Sequence, residues 1–169
     1  KIVLVGHVDH GKSTLIGRLL YDTDSIPKDR IKIMENLAKK EGREIELAYF
    51  LDAFEEEQHQ NVTIDTTQIF FNTPKRDYVI IDAPGHKEFL KNMITGAACA
   101  DTAILIIDAK EGVKEQTKRH AYILSLLGLN NVLVVINKMD KVGFKEEVFG
   151  TIEENIRVFL DGLNIKPTA

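Results

Sequence analysis

An α/β fold with a mostly parallel sheet flanked by helices is what three features of this sequence predict. Short β-branched runs alternate with longer segments of helical period. Their centres are apolar without alternation, as in strands buried on both faces. A glycine-rich stretch, GHVDHGKST at residues 6–14, lies directly between the first run and the first helical segment. The 169 residues favour one domain, 1–169, with a core large enough to be stable without disulfides.

The elements follow in order. KIVLV, residues 1–5, is the first strand, and STLIGRLL, from Ser13, carries its leucines at helical spacing. From Tyr21 to Gln60 there is no strand signal. Two helical stripes stand there instead: Ile31, Met34 and Ala38, ending near Gly42 as a C-terminal cap, and Leu47, Phe50, Leu51 and Phe54. Residues 21–60 are therefore a helical insertion, and Glu55 to Glu57 is a solvated helix face. Residues 66–72 form a further strand, although apolar and polar residues do not alternate cleanly there. YVIID (78–82), TAILIID (102–108) and NVLVVIN (131–137) complete the set of strands. Leu90, Met93, Ile94 and Ala97 keep one helical stripe, and Phe149, Ile152, Ile156, Phe159 and Leu160 keep another.

Composition narrows the function. Net charge is −4, from 22 Lys+Arg against 26 Asp+Glu, so the basic excess of a nucleic-acid binder is missing. A single cysteine, Cys99, rules out an internal disulfide and fits a reducing compartment. No apolar run reaches the roughly 18 residues of a membrane span, and no charged-then-apolar leader precedes the first strand. The expected location is cytoplasmic, with no membrane partner.

GHVDHGKS matches G-x-x-x-x-G-K-[ST] at Gly6, Gly11, Lys12 and Ser13. Such a match arises by chance in roughly one chain in two hundred of this length, and the strand-to-helix setting makes chance rarer. The glycines let backbone N–H groups converge on a phosphate, and the helix N-terminus adds its positive end. Lys12 then neutralises the β and γ phosphates, and the Ser13 hydroxyl ligates Mg²⁺. His7, Val8, Asp9, His10 and Thr14 complete the loop expected to line the nucleotide.

Two further motifs fit the same ligand. In DAPGH, 82–86, Asp82 ends a strand, where it holds Mg²⁺ through water, and Gly85 offers an N–H to the γ phosphate. A second D-x-x-G, Asp140 to Gly143, is set aside because ligands lie beyond the carboxyl ends of parallel strands and Asp140 has another use. In NKMD, 137–140, the Asp140 carboxylate accepts from guanine N1–H and the 2-amino group, donors that adenine lacks. The stem of Lys138 lies on the base, and Asn137 ties this loop to the phosphate loop.

Taken in this order, GHVDHGKST, DAPGHKEF and NKMD resemble the GTPase domain of the translation-factor class of P-loop GTPases, over essentially the whole chain. That resemblance implies GTP and GDP as ligands with Mg²⁺. It makes Thr63, in NVTID, the switch threonine that coordinates Mg²⁺ when GTP is bound, and His86 the catalytic residue that places the attacking water, while Lys12, the other catalytic residue, neutralises the departing charge. His7 and His10 are read as loop geometry. Asn61 stands where the family has Gly, a substitution that Asn tolerates best. The family closes its guanine pocket with a Ser-Ala segment after one more strand, whereas this sequence ends at NIKPTA, so a last strand, the capping segment and further C-terminal domains are expected to be missing. STLIGRLLYDT and KRHAYILSLLG are similar to the GTPase subunit of heterodimeric bacterial sulfate adenylyltransferase. The first expectation is therefore GTP hydrolysis coupled to sulfate activation in a partner ATP sulfurylase subunit. The alternative is an elongation factor carrying aminoacyl-tRNA, and a third reading is a stand-alone GTP-sensing module.

Asp9 is the odd member of the loop, since a carboxylate beside phosphates costs about 1–4 kcal/mol between water-like and surface-like dielectrics. A K⁺ ion beside it is the expected compensation, and it would also stabilise charge developing on the leaving group. Hydrolysis should then run faster in K⁺ than in a bulky-cation buffer of equal ionic strength, and Asp9→Ala should erase the difference. Equal rates for the unmodified chain would leave Asp9 a loop-shaping residue.

Overall fold

Aliphatic runs that cannot stay in water pair into a five-stranded sheet in the computed structural model, which describes residues 1–29, 31–33, 36, 68–82, 94 and 96–168. The strands are β1 (Ile2–Gly6), β2 (Gln68–Thr73), β3 (Arg76–Asp82), β4 (Thr102–Asp108) and β5 (Val132–Asn137). Their order is β2-β3-β1-β4-β5. β1 runs parallel to β3, with Val3 opposite Ile81, and to β4, with Val5 opposite Leu105; β4 runs parallel to β5, with Asp108 opposite Asn137. β2 and β3 are joined by two residues, Pro74 and Lys75, a connection that only antiparallel neighbours allow. The helices whose bounds are described are α1 (Lys12–Asp22), α2 (Glu115–Leu126) and α3 (Glu146–Gly162).

The chain divides into two compact units. One holds β1, β4, β5, α2, α3 and Val79 to Asp82 of β3. Its core packs Val3, Val5, Leu105 and Ile107 of the sheet with Ala121 and Leu124 of α2 and Ile152, Ile156 and Leu160 of α3. The other holds α1 from Ser13 together with Phe70 to Tyr78. There the Phe71 and Tyr78 rings stack at 4.9 Å, and α1 closes where the Thr23 hydroxyl donates to the Leu19 carbonyl at 2.7 Å.

Several expectations shift. β4 is buried on both faces as expected, but Leu133 to Ile136 of β5 are only half-buried, because β5 ends the sheet order and has one strand neighbour. On its open side Thr168 N–H donates to the Val132 carbonyl at 2.9 Å. β2 does alternate between buried and exposed residues; Phe70, 63 % exposed, disguises the pattern by putting an apolar ring on the solvent face. β3 starts at Arg76, earlier than the apolar run suggests. Ile94 and Phe149, both assigned to apolar stripes, are exposed, whereas Ala97, Ile152, Ile156 and Leu160 are buried. Of the insertion, residues 31–33 are helical. Met34, Ala38, Gly42, Leu47, Phe50, Leu51, Phe54, Glu55 to Glu57, Asn61, Leu90 and Met93 lie outside the described residues. No helix among the described residues is long and apolar enough to cross a membrane.

Candidate nucleotide-binding site

β1 delivers the chain to Gly6 at the carboxyl edge of the sheet. A Cβ on Gly6 would stand 2.7 Å from the Ile106 carbonyl oxygen, so only glycine lets β1 turn outward this close to β4. The loop that follows uses two left-handed residues, Asp9 (φ 62°) and Gly11 (φ 93°), before α1 begins at Lys12. The Lys12 ammonium curls back and donates to the Gly6 and His7 carbonyls, each at 3.1 Å, so the loop closes around its own lysine. Burial holds this ammonium below the ordinary lysine range, against the opposing pull of the Asp82 and Asp9 carboxylates.

The two loop histidines both contact elements behind the loop. His10, 1 % exposed, donates from Nδ1 to the Ile106 carbonyl at 3.1 Å, which leaves Nε2 facing the Glu111 carboxylate at 3.5 Å. His7 Nδ1 meets Gln116 Oε1 of α2 at 2.8 Å, and the two rings sit edge to face at 5.3 Å. Both therefore brace the loop against β4 and α2.

The base loop closes on the phosphate loop from β5. Asn137 Nδ2 donates to the His10 carbonyl at 2.9 Å. A Cβ on Gly11 would stand 2.3 Å from that same Nδ2, so glycine at position 11 is what allows the contact. Lys138, itself left-handed (φ 59°), sends its ammonium to the Asp9 carbonyl and to Asp108 Oδ2 at 2.8 Å. The Lys138 ammonium thus binds the Asp9 backbone carbonyl, whereas the expected K⁺ answers the Asp9 carboxylate. Met139–Val142 then form one 3₁₀ turn that ends on Gly143 (φ 65°), with Asp140 exposed in its first turn. The second D-x-x-G, Asp140 to Gly143, is this turn.

Asp82 ends β3 in register with Leu4, and its carboxylate bears on Lys12. Val8 is half-buried in the loop, and Ser13 and Thr14 open α1, the first half-buried and the second exposed. Thr63, Gly85 and His86 lie outside the described residues. Among the described residues no three His, Cys, Asp or Glu side chains cluster as a metal site.

Four side chains were not foreseen. Asp108, at the end of β4, could have been found by the same carboxyl-edge rule that found Asp82. Burial alone would raise its carboxyl, but the Lys138 ammonium and the N–H groups of Lys110 and Glu111 hold it below the usual carboxylate range. Gln116 and His120, four residues apart on α2, lie on the face turned to the loop, as the His7 contact of Gln116 shows. Glu111 is separated from His10 by most of the chain, and no spacing rule links them.

A family model described as elongation factor Tu GTP binding domain matches residues 1–167. The chain is 48% identical over 165 residues to elongation factor 1-alpha of Thermococcus celer and of Thermococcus kodakarensis, covering 98% of this chain and 38% of each relative. Among solved structures it is similar to a bacterial selenocysteine-specific elongation factor EF-Sec, with TM-score 0.66 and 30% identity over 98% of this chain and 24% of that one. Elongation factor SelB of Methanococcus maripaludis, solved in complex with the GTP analogue GPPNHP, matches with TM-score 0.60 and 25% identity over 93% of this chain and 25% of that one. The chain thus spans well under half the length of these relatives. They are elongation factors, and none of them points to sulfate adenylyltransferase or to an ATP sulfurylase partner.

Proposed function

The chain belongs to the elongation factor Tu GTP-binding-domain family, and from that premise we propose that it is the GTP-driven switch of a translation elongation factor that delivers aminoacyl-tRNA. Binding of GTP or GDP with Mg²⁺, and GTP hydrolysis, come with the family. One observation carries the guanine reading. Asn137 and Lys138 reach the carbonyls of His10 and Asp9, so a base loop and a phosphate loop that lie far apart in sequence are tied side by side.

The residues present fit a Mg²⁺-bound triphosphate. Gly11 lets the Asn137 amide close on the loop, a lysine ammonium is held over the loop, and Ser13 and Asp82 offer hydroxyl and carboxylate oxygens of the kind Mg²⁺ takes. When bound, Mg²⁺ neutralises charge between the phosphates. Lys12 would exchange its two carbonyl partners for β and γ phosphate oxygens, and the N–H of Gly85 would meet the γ phosphate. Thr63 would join Ser13 and Asp82 in holding the metal, and His86 would place the attacking water. Asp140 would accept from the guanine edge, with the Lys138 stem against the ring. The phosphate loop, residues 6–14, contains no arginine, and on this reading unassisted hydrolysis is slow and a partner accelerates it.

The elongation-factor role is supported by the 48% identity to elongation factor 1-alpha. The sulfate-activation reading rests on STLIGRLLYDT and KRHAYILSLLG alone. A gel-shift assay on the full-length protein decides between them. Charged tRNA should shift with the GTP complex and not with the GDP complex. No shift, with an ATP sulfurylase subunit co-purifying, would replace the elongation reading with the sulfate one.

A further inference from the structure

Asp108 closes β4, and its side chain reaches Lys138 of the base loop. Its place is fixed by the sheet: β4 and β5 end together, with Asp108 opposite Asn137. The residue is 4 % exposed, and both carboxylate oxygens are engaged. Oδ1 accepts from Lys110 N–H at 2.7 Å and from Glu111 N–H at 3.3 Å, which curls the chain away from the sheet edge. Oδ2 faces the Lys138 ammonium at 2.8 Å. The Lys138 side chain is half-buried, and the Asp9 carbonyl it also binds carries only a partial charge. A half-buried ammonium is held by a full counter-charge, and the buried Asp108 supplies it.

The path of the Lys138 stem makes this pair more than a structural contact. Leaving a left-handed backbone, the stem passes with Cε 3.9 Å from where a Gly11 Cβ would be. It therefore lies along the junction of the two loops, and the position of its far end decides where the stem can lie.

We propose that Asp108 is a positioning residue for the guanine nucleotide: by fixing the Lys138 ammonium it holds the base loop on the phosphate loop and so sets how long the nucleotide stays bound. This rests on the guanine reading of the site. Loss of one member of a buried charge pair acts mainly on dissociation. Asp108→Asn keeps an oxygen for the Lys110 and Glu111 N–H groups and removes the charge that faces Lys138.

The test is the dissociation rate of N-methylanthraniloyl-GDP from the unmodified chain, Asp108→Asn, Lys138→Met and the double variant, with Mg²⁺ present throughout. Asp108→Asn should release nucleotide about tenfold faster, with the association rate within about twofold. On the Lys138→Met background the same change should add less than about twofold, because the ammonium it positions is gone. A role in packing alone would multiply on both backgrounds. An Asp108→Asn rate equal to that of the unmodified chain, or full multiplication in the double variant, overturns the proposal while leaving the guanine reading intact. Failure of the unmodified chain to bind the probe would overturn both. Should Asp108→Asn not fold, Asp108→Ser, which keeps a hydroxyl acceptor for the two N–H groups, is read in the same way.

Discussion

Asp140→Asn should weaken GTP binding by about 2–4 kcal/mol and turn preference toward xanthosine triphosphate, because an amide presents a donor where guanine also donates. Xanthine carries a carbonyl at C2, which the new amide can serve. The setting of Asp140 makes the effect clean. It lies in the first turn of the 3₁₀ segment, exposed, and among the described residues its carboxylate makes no hydrogen bond to protein. The substitution should leave thermal stability almost unchanged, in contrast to Asp108, whose two oxygens are committed within the fold. Competitive titration of both nucleotides on the variant checks this, and unchanged GTP preference would remove Asp140 from the base site.

A second large effect should appear in the pH dependence of folding. His120 is buried on α2, its Nδ1 finds no hydrogen-bond partner among the described residues, and its pKa is lowered to about 4. Burial is the main cause, helped by the positive field of Lys12 and by His7 and His10. In the unfolded chain the imidazole returns to about 6.5 and binds a proton that the folded protein refuses. Its contribution is therefore intact above about pH 6.5 and is lost as pH falls toward 4, by about 3 kcal/mol in total at about 1.4 kcal/mol per pKa unit. His120→Leu should remove that part of the slope. Urea unfolding at several pH values between 7.5 and 4.5 measures it, and parallel curves for the two proteins would mean that His120 does not stay neutral.

Legibility from sequence varied with how each element is buried. TAILIID coincides with β4 because both faces of a central strand are covered and Ala103 to Ile107 are all apolar and buried. The apolar run of β5 looked equally central; a sheet edge was expected from the missing last strand, but which strand forms it is set by crossovers and not by composition. α2 gave no apolar stripe to recognise, because Thr117 and His120 occupy its buried face alongside Ala121 and Leu124.

In the site, the reading of Gly6, Gly11, Lys12, Asn137 and Asp140 rested on fixed spacings within short motifs, and spacing is what a single sequence displays. The tether of Asn137 to the phosphate loop was anticipated, and the 2.9 Å contact to the His10 carbonyl is the form it takes. The Lys138 to Asp108 ion pair was missed because its partners come from different strands and meet only through the β4–β5 register. The role of His7 and His10 as braces was expected in outline, but their partners, Gln116 and the Ile106 carbonyl, depend on which elements pack behind the loop.

The central claim is that one chain joins a phosphate loop to a guanine-selective loop through Asn137 and Lys138. Calorimetric titration of this chain with GTP, GDP and ATP, in Mg²⁺ at one ionic strength, tests it most directly. The account predicts saturable binding of GTP and of GDP at a single site, with ATP giving no heat at the same concentrations. ATP binding as tightly as GTP would contradict it, since the phosphate loop would then be working without the base loop beside it.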